Sequence, residues 1–134
     1  MVTTTIDSLQ YFHLRLGPGE DLFQSLRSFL DEQGLTQAFL LSTIGSLRRV
    51  VVNFPEALVD NPKVGSIVLE GPFEINGISG EVWREDKDIR VHLHGTVTRR
   101  GGELYGGGLG DGALVLKLAE MVIAGVKKIE MKKR

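Results

Sequence analysis

The stretch PFEINGISGEVWREDKDIRVHLHGTVTRR, residues 72–100, carries the two-residue period of β-strands on both sides of Asp86-Lys87-Asp88. Ile89, Val91 and Leu93 alternate with Arg90, His92 and His94, so one face is apolar and the other polar. This predicts a long hairpin over 72–85 and 88–100. Upstream, 64–70 reads as a further strand ended by a turn at Gly71-Pro72, and 55–62, with its two prolines, as a surface loop. The apolar runs 36–44 and 47–54 read as two strands with a bend at Gly45-Ser46. Residues 9–16 alternate in the same way. Between them Leu22, Leu26, Phe29 and Leu30 recur at helical spacing, Glu20 and Asp21 stand in the first turn, and Gly34 follows the last. Downstream, 113–134 is ambiguous: LVLKLAEMVIAGV suits a helix by propensity and a strand by its Val and Ile content. KKIEMKKR (127–134) reads as a solvated basic tail.

A strand-rich chain with one clear helix is an α+β chain, and 134 residues without a linker or repeat make one domain, 1–134. There is no cysteine, which excludes disulfides, thiolate metal sites and a cysteine nucleophile. The N-terminus lacks the pattern of a secretory signal and no apolar run reaches the length of a membrane span, so a cytoplasmic location away from membranes is expected. Sixteen Lys and Arg against seventeen Asp and Glu give a net charge of -1, which argues against avid, non-specific DNA binding by the single chain.

His92 and His94, two apart on a strand, point to the same face, so one metal ion or one anion can meet both. A zinc site needs three or four protein donors, and the only other histidine is His13; the alternative is two hydrogen-bonded imidazoles on a polar sheet face. Of the 17 glycines, seven fall between Gly101 and Gly112. Gly106, Gly107 and Gly108 form a glycine loop that either admits a ligand to backbone N–H groups or allows a tight turn or subunit contact. Neither GxGxxG nor the Walker pattern is satisfied, and Gly77-Ile78-Ser79-Gly80 is one residue short of a nucleophile elbow. No spacing of carboxylates or nucleophiles defines a catalytic residue. Arg48-Arg49 and Arg99-Arg100 read as solvated charges, and Trp83 as a core or interface anchor.

In order along the chain, Gly19-Glu20-Asp21, Leu40 to Ser46, Gly71 to Ile75, Ile78-Ser79-Gly80, His92-Leu93-His94, Gly106 to Leu109 and Ala119 to Ile123 resemble the PPC domain, the plants-and-prokaryotes-conserved domain. The resemblance implies a mainly antiparallel sheet with flanking α-helices, assembled as a homotrimer, and makes strands of much of the tail. It also implies a binding or regulatory protein associated with DNA, although the Arg-Gly-Arg-Pro core of an AT-hook is absent. The alternative is a metal- or small-ligand-binding protein, with metal-dependent chemistry, centred on His92 and His94. Similar prokaryotic proteins complete a three-histidine site from a Gly-Gly-His-Leu motif, whose histidine falls on Gly108 here. Zinc at reduced occupancy is the cofactor this leaves open, with water, Glu120 or a neighbouring subunit as third donor.

Overall fold

The structure is a computed structural model that describes residues 1–127. In chain order its elements are β1 (Gln10–Leu16), α1 (Leu22–Glu32), β2 (Leu35–Pro55), β3 (Val64–Glu85), β4 (Asp88–Arg99), β5 (Glu103–Leu109) and β6 (Leu114–Lys127). They form one antiparallel sheet in the order β1-β6-β2-β3-β4-β5. β5 also pairs back to β2 through Val52–Leu109 and Asn53–Gly108, so β2 to β5 close into a ring and β1 is left as an outer edge. Among the described residues no helix is long and apolar enough to cross a membrane.

The alternation of the opening stretch explains the interior. From β3, Phe73, Ile75, Ile78 and Val82 point inward, and from β4, Leu93 and Val97 meet them. Helix α1 packs its apolar stripe, Leu22, Phe23, Leu26, Phe29 and Leu30, against the same core. Each such side chain contributes about 1.5–3 kcal/mol relative to leaving it in water. Phe12 of β1 meets Phe29 edge to face at 5.0 Å.

The hairpin of β3 and β4 forms with a turn at Asp86-Lys87, pairing Glu85 with Asp88 at its end. Several expectations are corrected. The runs 36–44 and 47–54 are one strand, because pairing to β3 on one side and β6 on the other carries the chain through Gly45 without leaving the sheet. Gly71-Pro72, a cis peptide, likewise lies within β3 instead of ending a strand. Of the flanking helices, the described residues contain one, because 114–127 is strand β6. There Val115, Ala119, Met121 and Ile123 face the core while β1 and β2 satisfy its backbone on both sides, and this long-range pairing overrides local helix propensity. The tail beyond Lys127 lies outside the described residues.

Asp21 is not in the first turn of α1 but caps it, accepting from the N–H groups of Phe23 and Gln24. Glu20 instead accepts from the N–H of Gly17. The middle of the helix is tied across the structure by Arg27. Its guanidinium donates to both carboxylate oxygens of Asp111, in the turn between β5 and β6, and to the carbonyl of Ile89.

The hydrogen bonds from Arg27 hold the Asp111 carboxyl below its usual range. A depressed folded value means that this contribution is fully present above the unfolded value, about 3.9, and is lost as pH falls through the folded one. Asp111→Asn should therefore lower stability at pH 7 by at most about 1 kcal/mol, since the pair is partly exposed. The difference from wild type should begin to shrink below about pH 4 and vanish only below the folded value, as urea midpoints across pH will show.

Candidate functional site

The alternation that sends Leu93 into the core sends His92 and His94 outward on β4. Their Nε2 atoms stand 3.1 Å apart and the rings meet edge to face. A hydrogen bond at this distance requires one ring to donate its Nε2–H and the other to accept. Two imidazole nitrogens on one zinc, each about 2.0–2.1 Å from the ion, also stand about 3 Å apart. The same geometry thus serves a shared proton, an anion or two positions of a metal.

β5 supplies the other wall. Gly106, Gly107 and Gly108 are not a loop but the strand itself, opposite Thr96, Gly95 and His94. A Cβ at Gly108 would stand 3.8 Å from Cε1 of His94 and 3.2 Å from the carbonyl of Asn53. The position next to the imidazole pair is therefore backbone only. Between these walls lies a cleft of about 370 Å³, lined by the two histidines, Gly107 and Gly108, and by apolar groups that include Phe54, Val64 and Leu109. It joins two polar nitrogens to an apolar floor, the usual composition of a small-ligand site.

Glu120 is not brought to this pair within the chain. It sits on β6, which β2 and β3 separate from β4, and faces His13 at 3.6 Å and Arg15 at 3.7 Å. Among the described residues no three His, Cys, Asp or Glu side chains converge as metal ligands. His92 and His94 therefore fit two positions of a metal, leaving the others to water or to another subunit.

Three neighbours escaped the sequence reading. Glu81 lies directly across from His92 and Ser79 across from His94, and the Glu81 carboxylate accepts from Nε2 of Gln37 at 2.8 Å. Taking the hairpin turn as Asp86-Lys87 would have given both pairings. Asn53 joins through closure of the ring, for which no local signal exists, and accepts from the Ser66 hydroxyl at 2.6 Å.

The basic pairs are partly neutralised. Arg49 donates to Glu70 at 2.8 Å, and Arg99 donates to Glu103 at 2.6 Å and to the Glu70 carbonyl at 2.7 Å. The hydrogen bond from Arg99 holds the Glu103 carboxyl below its usual range. Trp83 is half-buried on the outer face across from Gln37, apart from the core.

The family model of the Plants and Prokaryotes Conserved (PCC, also written PPC) domain matches residues 4–127. The chain belongs to the PCC-domain family. A Synechococcus protein, bifunctional protein GlmU, is 35% identical over 117 residues, 87% of this chain but 17% of the relative, so this PCC chain spans a minor part of that protein's length. A metal-containing protein from Archaeoglobus fulgidus has the same fold with a TM-score of 0.81 and 29% identity, over 96% of this chain and 88% of that one. A candidate DNA-binding protein from Bacteroides thetaiotaomicron shares the fold with a TM-score of 0.78 over 90% of this chain and 85% of that one; at 18% identity the likeness is one of fold alone.

The backbone at Gly108 is not in the left-handed region, so a side chain is admitted there once Asn53 gives by a few tenths of an ångström. Gly108→His should raise zinc affinity at least tenfold in competition with a chromophoric chelator. Unchanged affinity would contradict the placement of position 108 beside the pair.

Proposed function

We propose that this PCC-domain chain is a homotrimeric binding protein of the cytoplasm, without a reaction of its own, and that it takes its ligand at His92 and His94. The observation that carries this reading is the convergence of the two Nε2 atoms to 3.1 Å on the lining of a cleft in which the neighbouring strand, at Gly107 and Gly108, is bare backbone. A divalent cation such as zinc suits the nitrogens, and a small anion with an apolar portion suits nitrogens and floor together. The metal content of the Archaeoglobus protein supports the first. Two protein donors hold zinc more weakly than the three or four of a closed site, so partial occupancy is the expected state.

Self-association is supported by the outer sheet face, where Leu41, Ile44 and Val122 are exposed together on β2 and β6. Each is an apolar side chain that a second copy can cover.

Association with DNA is the second reading, supported by the family resemblance and by exposed Arg48, Arg90 and Arg100. A net charge of -1 and the carboxylate partners of Arg49, Arg90, Arg99 and Arg100 make it depend on a basic surface gathered across subunits. Absence of any salt-sensitive gel shift with AT-rich or random duplex at low salt would remove it.

For the first reading, elemental analysis of protein purified without a nickel column should find zinc below one ion per chain. It should be lost in the variant carrying both His92→Ala and His94→Ala. Zinc that persists in that variant would place the metal elsewhere.

A further inference from the structure

The ladder between β2 and β3 is interrupted in its middle. Pairing stops at Leu40–Gly80 and resumes, in the same register, at Gly45–Ile75. Residues 41–44 and 76–79 thus face each other across this seam without pairing to one another, while Ser42, Thr43 and Ile44 stay paired to β6 and Gly77, Ile78 and Ser79 to β4, and the same eight residues line a slit of about 300 Å³. The opening is built into both strands. β2 shifts register against β6 between Leu40 and Ser42, and β3 shifts against β4 between Ile75 and Gly77. Gly45 (φ 138°) and Gly80 (φ 147°) stand at its two ends, where a Cβ would collide with the backbone of Leu118 and His92 respectively.

Polar groups of two kinds line the slit. Main-chain donors and acceptors that point into the seam have no partner from the β2–β3 ladder and take one from water or from another segment of chain. Thr43, 2% exposed, has its hydroxyl buried without a hydrogen-bond partner among the described residues. Leu41 and Ile44, 55% and 57% exposed, stand beside these polar groups. A main chain is the ligand that answers a row of main-chain groups, as when an extended segment adds to a sheet.

The chain contains such a segment. Residues 1–9 are exposed and form no element, yet Val2-Thr3-Thr4-Thr5-Ile6 is five β-branched residues in succession, the composition of a strand without a ladder. In an extended conformation Thr3 and Thr5 lie on one face and Val2 and Ile6 on the other. The first face matches the hydroxyl and amide groups of Ser42, Asn76 and Ser79, and the second gives apolar cover to Leu41 and Ile44. We propose that Val2–Ile6 of one copy lies along the slit between β2 and β3 of a second copy, as the seam of the self-association proposed above, on which this inference rests.

A chain without cysteine permits a direct trap. Full-length protein carrying Thr4→Cys and Ser79→Cys, mildly oxidised, should run as covalent dimer and trimer on non-reducing gels and return to monomer with reductant. A Thr4→Cys, Ser28→Cys control, with its second cysteine on the exposed face of α1, should give no more cross-linking than either single variant. Light scattering on the same samples separates the two claims. An oligomer without cross-linked species overturns the arm-in-slit seam and leaves self-association standing. A fast-migrating internally bridged monomer shows the arm in its own slit and also overturns the proposal, and a monomer in solution overturns both claims.

Discussion

The pairing of Asn53 with Gly108 is the constraint on which the site depends. It turns an open sheet into a ring, because β5 then bonds to β4 on one side and to β2 on the other. Without it the histidine face of β4 would be one more solvated strand surface. With it, β5 and the end of β2 stand beside His94, and the polar pair borders an open cleft lined by apolar groups. Glycine allows β5 to approach closely, and glycine also leaves the place beside His94 without a donor of its own.

The ring couples binding to the core. Leu93, fully buried, separates His92 from His94, so the geometry of the two imidazoles is set by the packing of the residue between them. α1 is anchored over the same strands through Arg27, which reaches both Ile89 and Asp111. The two nitrogens are therefore carried by a strand of the sheet instead of a loop, an arrangement suited to binding without induced movement.

Much of this was legible in the chain. Local period alone gave the hairpin, the outward direction of both histidines and the apolar stripe of α1, because each is decided within a few residues by alternation or helical spacing. What failed is what depends on distant partners. Gly45 and Gly71-Pro72 carry turn signals, yet both lie within strands because neighbouring strands hold the backbone on either side. The β6 segment has helix-compatible residues, and only its place between β1 and β2 makes it a strand. In the site, the pair was legible and its surroundings were not. Glu81 and Ser79 required the exact turn position, Asn53 required ring closure, and Glu120 is kept away by two intervening strands.

The claim that His92 and His94 act as one ligand-binding unit is tested most directly by nitrogen NMR of protein labelled at histidine, titrated with zinc. The Nε2 resonances of His92 and His94 should move together and saturate at the same zinc ratio, while those of His13 stay in place. Movement of His13 alone, or no movement in either member of the pair, would contradict it.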